Sequence, residues 1–261
     1  MNFTKLKIIE NLSNGHYRYD IPYEAKVGFG KRGIIIDHFT EEQIENVFEF
    51  SYHQGKYLNQ KEGWDESDST EQRKSYQMWL DTFSGKIGEE ADVYYLSEKL
   101  KLDNSGVDYS ITGKNDGDMG DIMLTNNRLI GSRTTSHYSN LLLLEKSKSF
   151  AKCSSTILNR LMVTKRGMQG NTLESIIPKN MRTNDFCDSH KKELKSFIMS
   201  KDIKFSVDIV GKIYKHEYME LDKIGHIIRR NDYFKFTKIK TTNRYVCSGD
   251  LWEITKTRRT K

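Results

Sequence analysis

The sequence predicts an α/β fold in which a mixed sheet of about five strands is flanked by helices. Short apolar runs with strand character alternate along the chain with segments whose apolar residues recur at helical spacing. The clearest strand runs are 156–164, 207–213 and 245–251. The chain of 261 residues is long enough to bury a substantial core. We therefore expect helices and strands to be layered around one apolar interior.

Helical spacing predicts one helix over about residues 40–55 and another over about 188–200. At the start of the first, Thr40 and Gln43 match a capping box, in which each side chain bonds the backbone amide of the other residue. The capping box predicts that this helix begins directly after Thr40.

A tight hairpin is predicted in the middle of the chain. The run 122–124 has strand character, and Asn126 and Asn127 after it favour a tight turn. The second run, 129–133, would then lie antiparallel to the first, with its far end across from Asp121.

Composition and charge favour a polyanionic partner. Lys and Arg number 42 against 36 Asp and Glu, for a formal net charge of +6. The three cysteines are far apart and show neither metal-ligand spacing nor a disulfide framework, which is typical of a reducing compartment. No apolar run approaches the length of about 18 residues that a membrane span needs. We predict a cytoplasmic protein with no membrane partner.

The chain is expected to divide near residue 60. Residues 59–74 are rich in charged and polar side chains, and Trp64 is their only large apolar group, which indicates a solvated connection. We predict an N-terminal helical and irregular subdomain over residues 1–60. A core would follow over residues 61–261, with a C-terminal region that contacts nucleic acid.

Acidic residues stand at the start of the predicted hairpin and near the start of a further helix, expected from about Ser84 to Leu100. Asp118 and Asp121 precede the first strand, and Glu89 lies in the first turns of the helix. Carboxylates bind Mg²⁺, which prefers hard oxygen ligands and can activate water against a phosphodiester. Arg133 would add positive charge near that phosphate. The alternative for Glu89 is an acid favoured by the helix dipole alone.

Three pieces in this order resemble type II restriction endonucleases of the PD-(D/E)xK nuclease superfamily. The pieces are Gly85-x-x-Gly88-Glu89 on a helix, Gly120-Asp121-Ile122 at the head of a strand, and Thr134 to Ser139 after a second strand. The similarity runs over roughly residues 60–255. It implies a restriction-endonuclease-like core, Mg²⁺ as cofactor and hydrolysis of double-stranded DNA at specific sequences. It also implies a homodimer and a cognate DNA methyltransferase as genetic partner.

The resemblance assigns catalytic and metal-binding roles. Asp121 would be catalytic and bind the metal, and Glu89 and Asp118 would be further ligands. Glu90 is the reserve candidate for the glutamate on the helix. Arg133 would contact the scissile phosphate. Gly85 and Gly88 would permit close packing of their helix on the sheet.

The second strand departs from the family pattern of an acid, any residue and a lysine, since it reads Gly131-Ser132-Arg133. Gly131 supplies no carboxylate, and Arg133 binds phosphate but remains protonated. A register with Asp108 as the first acid does no better, because Met123 then replaces the lysine. The alternative function is therefore a disabled nuclease fold that binds DNA without cutting. A structural or RNA-interacting protein is a third.

Candidate DNA contacts are polar or basic side chains that follow strands. In the C-terminal part, basic residues alternate with aromatic ones, as on nucleic-acid surfaces or, equally, on a strand with a basic outer face and a buried aromatic inner face. The predicted DNA-binding residues are Thr134, Thr135, Ser136, His137, Lys165, Arg166, Arg229 and Arg230.

Overall fold

The computed structural model describes residues 3–32, 34–57, 74–109, 122–145 and 153–253. Within these ranges the chain is a mixed α/β structure with flanking helices, so the predicted fold class is confirmed. The helices are α1 (Glu41–Tyr57), α2 (Ser75–Tyr94), α3 (Leu173–Ile176), α4 (Asp188–Ile198) and α5 (Lys215–Glu220). The strands are β1 (Lys7–Asn11), β2 (Tyr17–Asp20), β3 (Ile35–Ile36), β4 (Ile122–Met123), β5 (Leu129–Ser136), β6 (Leu141–Glu145), β7 (Ser155–Lys165), β8 (Met168–Asn171), β9 (Ile203–Tyr214), β10 (Ile227–Ile228), β11 (Tyr233–Phe234), β12 (Thr237–Lys238) and β13 (Asn243–Cys247).

The largest sheet has six strands in the order β3-β9-β7-β5-β4, with β8 paired to β7. β5 runs parallel to β7, and the other pairs in this sheet are antiparallel. The pairing of β7 with β9 extends from Ser155 opposite Tyr214 to Lys165 opposite Ile203. These two long strands form the centre of the molecule.

The predicted start of α1 is confirmed. The Thr40 amide donates to Gln43 Oε1 at 2.9 Å, and the Gln43 amide donates to Thr40 Oγ1 at 3.1 Å. The helix then runs from Glu41 to Tyr57. α4 likewise covers most of its predicted range.

α2 begins earlier than expected. It starts at Ser75 rather than near Ser84, and a π-helical turn over Tyr95–Lys99 follows its last residue. The extra turns place Trp79 and Phe83, both fully buried, on the side that packs against the sheet and α1. Burial of these rings stabilises the longer helix by roughly 1.5–3 kcal/mol for each side chain.

The predicted hairpin is confirmed in its described part. Ile122 pairs with Ile130 and Met123 with Leu129, antiparallel. Asn127 has φ 58°, in the left-handed region that Asn adopts more readily than most residues. The tight turn therefore forms where the two asparagines predict it.

The two faces of the six-stranded sheet carry separate apolar clusters. Phe48, Trp79 and Ile157 belong to the cluster under α1 and α2. Leu142 and Leu158 belong to the cluster on the opposite face, beneath β6 and β13. The sheet is therefore covered on both sides.

Two smaller sheets complete the described structure. One has the order β1-β2-β11-β12, and the other has the order β10-β13-β6. Contacts cross the predicted boundary at residue 60, since β3 pairs with β9 and α1 packs on α2. The division into two domains stays a prediction. Among the described helices, none combines the length and apolar character needed to cross a membrane.

Candidate active site and nucleic-acid interface

Helix α2 approaches strand β5 through Gly88. A Cβ atom on Gly88 would lie 1.8 Å from Thr134 Oγ1, so any larger residue would push the helix off the sheet. Gly85 has open space around its Cα instead, and it does not serve the close packing that the sequence predicts for it. Gly88, rather than Gly85, therefore permits the close approach of α2 to β5.

Glu89 follows this contact and is buried, with 8% of its surface exposed. The Lys86 ammonium donates to Glu89 Oε2 at 2.5 Å. The same Lys86 Nζ lies 5.3 Å from the centre of the Phe50 ring and 6.0 Å from that of Tyr109. Aromatic rings and a carboxylate thus surround this ammonium. Glu89 is a buried carboxylate, an oxygen donor of the kind a divalent cation prefers.

Glu90, the reserve candidate, is engaged on both oxygens. Tyr109 donates its hydroxyl to Oε1 at 2.6 Å, and Gln43 Nε2 donates to Oε2 at 2.7 Å. Burial, and then the hydrogen bond to Glu90, raise the pKa of Tyr109 well above its usual value. Glu90 therefore ties α1 and the segment around Tyr109 to α2, a structural role.

Asp118 and Asp121, the other predicted metal ligands, lie outside the described residues. Within the described ranges, no three His, Cys, Asp or Glu side chains come close enough together to hold a metal ion. The carboxylate of Glu89 fits the donor chemistry of Mg²⁺, but a complete ligand set requires Asp121 or Asp118 in addition.

The side chains of β5 alternate between the two faces of the sheet. Ser132 and Thr134 face α2. Gly131 and Arg133 belong to the opposite face, where a Cβ on Gly131 would lie 3.1 Å from Thr156 Oγ1. Arg133 Nη1 donates to the carbonyl of Ser132 at 2.5 Å. The structure thus places Glu89 and Arg133 on elements of different faces, whereas the sequence interpretation has them meet at one phosphate.

A polar network under α2 was missed by the sequence reasoning. Asn159 Nδ2 donates to Asp92 Oδ2 at 2.8 Å and to Ser132 Oγ at 3.1 Å, and it lies 3.3 Å from the Gly88 carbonyl. Asp92 and Asn159 are fully buried. A signal for it does exist, because Asp92 is one helical turn after Gly88 and Ser132 is an inward position of its strand. This network fixes α2 over β5 and β7.

The predicted DNA contacts at the ends of β5 and β7 differ in accessibility. Thr134 Oγ1 is turned beneath α2, and Thr135 Oγ1 donates to the Asn159 carbonyl at 3.2 Å. His137 is half-buried against Phe29, and burial together with the Arg160 charge lowers its pKa. Ser136 and Lys165 at the same end are half-buried, and the Lys165 ammonium lies over the Phe197 ring. Arg166 is exposed.

The second predicted contact region lies around β10, β11 and β12. Arg229 is exposed, and its backbone amide donates to Asp232 Oδ2 at 2.9 Å. Arg230 is half-buried, and its amide donates to Thr242 Oγ1 at 3.3 Å. Phe234 packs partly on an apolar cluster, while Phe236 is 90% exposed. The aromatic residues of this region therefore divide between the interior and the surface.

These features define the class of protein only broadly. It is an α/β protein in which a helix with buried acidic residues packs on a mixed sheet, and a basic and aromatic surface lies elsewhere. Comparison with known proteins takes the assignment no further, because no family model, curated protein or solved structure matches the chain. The resemblance to restriction endonucleases stays a prediction from the residues themselves.

Proposed function

We propose that this protein is a Mg²⁺-dependent endonuclease that cuts double-stranded DNA at specific sequences, as part of a bacterial restriction system. One arrangement carries the proposal. Gly88 packs helix α2 against β5, and the next residue of the helix is the buried Glu89. β5 pairs with β4, which begins at the residue after Asp121. We expect the acid of the helix and the acid before β4 to serve the same part of the fold.

In this proposal Glu89 and Asp121 hold the metal, and Asp118 assists. Bound there, Mg²⁺ would activate a water molecule and neutralise charge on the phosphate. Arg133, on the face of β5 opposite Glu89, contacts the DNA backbone away from the metal, and the basic and hydroxyl residues at the ends of β5 and β7 position the duplex. A palindromic target implies a two-fold symmetric homodimer. A DNA methyltransferase would protect the host's own sites in the cytoplasm.

The second candidate is a nuclease fold that binds DNA without cutting it. Three observations favour it. Gly131 lacks the carboxylate of the family pattern, Arg133 stands in the place of its lysine, and Lys86 already occupies Glu89 Oε2. The two candidates share the DNA partner and differ in chemistry.

The test is digestion of plasmid DNA in Mg²⁺ or Mn²⁺, with a gel-mobility assay on the same samples. The endonuclease yields discrete fragments, and both Asp121→Asn and Glu89→Gln abolish them. Glu98→Gln is the matched control, because the Glu98 side chain is 55% exposed near the end of the same helical segment. Retarded DNA without fragments supports the binding protein.

A double substitution tests the departure from the family pattern. Gly131→Asp with Arg133→Lys restores the acid and the lysine on β5. Cutting that appears only in this variant shows a disabled nuclease. Absence of both binding and cutting in every sample rejects the DNA partner and leaves the structural or RNA-interacting alternative.

A further inference from the structure

In the four-stranded sheet, Tyr19 of β2 and Phe234 of β11 pack against an apolar cluster, and the residues that alternate with them project to the other face. On the outward side, Glu10, Arg18, Tyr233 and Lys238 lie side by side across β1, β2, β11 and β12, because each pairs with the next. Paired residues project to the same side of a sheet. We call this row and the adjoining Phe236 the outer face.

Phe236 stands at the tip of the two-residue turn between β11 and β12, with 90% of its surface exposed. The turn is held in place, since Lys235 adopts φ 52° and its carbonyl accepts a hydrogen bond from Arg18 Nη1 at 3.0 Å. The Arg18 guanidinium carbon lies 5.9 Å from the centre of the Phe236 ring and 5.2 Å from that of Tyr233. Phe236 thus exposes a large apolar ring to solvent, and a hydrogen bond from Arg18 holds the turn that carries it.

The acidic groups near the outer face are already engaged. Glu10 Oε2 lies 2.6 Å from Arg18 Nε, and Asp232 is fully buried. Asp232 accepts the backbone amides of Tyr17 at 3.1 Å and Arg229 at 2.9 Å. The exposed Lys238 therefore gives this face a positive character.

A depression of about 450 Å³ adjoins the same row. Its lining includes Arg18, Tyr233 and Lys238 together with polar side chains from two turns. The polar members are Ser13, Asn14, His16 and Asn231. An aromatic ring, hydrogen-bonding groups and cations in one concavity suit a nucleobase with its phosphate.

We propose that the outer face binds unpaired nucleotides, with a base stacked on Phe236 and the backbone phosphates held by Lys238 and its neighbours. Stacking on a protein ring needs a base whose own face is accessible, and the paired bases inside a duplex do not offer one. The site would engage single-stranded or unstacked positions of the nucleic acid. This inference deepens the proposed function and rests on a nucleic-acid partner, but it is independent of cleavage.

The experiment measures fluorescence anisotropy of a labelled 12-nucleotide single strand and of the duplex of the same sequence. Phe236→Ala weakens single-strand binding by about tenfold or more, the range expected for loss of one stacked base. Phe236→Trp retains binding, because it keeps the ring. Tyr23→Ala is the matched control, since Tyr23 is an 88% exposed aromatic residue that belongs to none of the four strands of the outer face.

A salt titration separates charge from stacking. Lys238→Ala lowers the slope of log affinity against log salt by about 0.7 for a single strand. Phe236→Ala leaves that slope unchanged. Lys192→Ala, an exposed lysine on α4, provides the charge-matched control.

The outcomes distinguish this inference from the proposed function. If Phe236→Ala binds the single strand as the wild type does, while the duplex is still bound and cut, the stacking site is rejected and the endonuclease stands. If the single strand is bound through Phe236 and no DNA is cut, the inference stands and cleavage is rejected. If Phe236→Ala changes only self-association in sedimentation, the outer face is a protein contact and the inference is overturned.

Discussion

The two faces of the six-stranded sheet both bury charged groups, but they use them differently. On the face away from α2, Arg160 and Asp208 form an ion pair with both side chains 1% exposed. Arg160 also donates to the carbonyls of Val27 at 2.6 Å and Gly28 at 2.9 Å, and the Gly30 amide donates to Asp208 Oδ2 at 2.9 Å. This pair fastens the N-terminal segment to the sheet.

On the α2 face, the charged groups lie beside the predicted active site. Glu89 is bonded to a lysine of its own helix one turn away, and a lysine side chain can move aside for a metal ion. The Arg160 pair is locked to backbone atoms of distant segments and has no such freedom. The two cases therefore differ in the partner of the buried charge, which is a side chain of the same helix for Glu89 and backbone atoms of distant segments for Arg160.

The largest expected effect is the removal of Arg160. Arg160→Met leaves Asp208 buried without its counter-charge and should lower the free energy of unfolding by about 3–5 kcal/mol. Chemical denaturation measures it, with Arg166→Met, an exposed position just beyond the same strand, as control. A loss below about 1 kcal/mol would show that the pair does not fasten the N-terminal segment.

The next effect concerns the helix contact. Gly88→Ala should cost about 1–3 kcal/mol through overpacking against Thr134. Gly85→Ala meets no atom within 4 Å and should instead stabilise the helix by about 0.5–1 kcal/mol. Thermal unfolding of the two variants compares equivalent substitutions three residues apart. Equal shifts would contradict the close approach at Gly88.

A smaller effect tests whether Glu89 binds metal. Lys86→Gln removes the cation bonded to Glu89 and should improve Mg²⁺ binding by about tenfold, since a charged hydrogen bond no longer competes. The readout is the Mg²⁺ concentration that raises the melting temperature, which requires no catalysis. Lys101→Gln, at an exposed lysine beyond the same helical segment, is the control. No change in Mg²⁺ dependence would argue that Glu89 is purely structural.

The smallest effect is a pH dependence at His137. Burial and the Arg160 charge lower its pKa, so the unfolded chain binds this proton more readily than the folded protein. The stabilising contribution is complete above the unfolded pKa of about 6.5 and is lost as the pH falls toward the lower folded value. His137→Asn should therefore lose less stability than the wild type between about pH 7.5 and about pH 5.5.

His38→Asn is the control for that titration, because the His38 side chain is 84% exposed. If His137→Asn follows the wild type across the same pH range, proton binding at His137 does not differ between the folded and unfolded states.

Local signals predicted much of this fold. The capping box located the start of α1, and the paired asparagines located the β4–β5 turn. Both depend on residues that are neighbours in sequence. The start of α2 was missed because its first turns carry no cap signal, the Lys74 side chain making no capping bond. The two-residue strands β10, β11 and β12 are too short to show any periodicity.

The polar contacts on both faces of the sheet were harder to predict because they join distant residues. Asn159 meets Asp92 across 67 positions, and Arg160 meets Asp208 across 48. No local pattern encodes such pairs. The separation of Glu89 from Arg133 follows from which side of β5 faces α2, and that depends on the register of the whole sheet. The sequence identifies the candidate residues, whereas their positions relative to one another can be known only from the folded structure.

Strand β6 lies between β5 and β7 in the sequence, but in the six-stranded sheet these two parallel strands pair directly with each other. β6 pairs instead with β13, in a different sheet. During synthesis, its four consecutive leucines are made about 100 residues before β13, the strand with which they pair. At typical ribosome speeds, β6 therefore lacks its partner strand for roughly 5–20 s. Nascent chains of this protein would therefore pass through an interval of aggregation risk, and its yield in cells should depend on chaperones that shield Leu141 to Leu144.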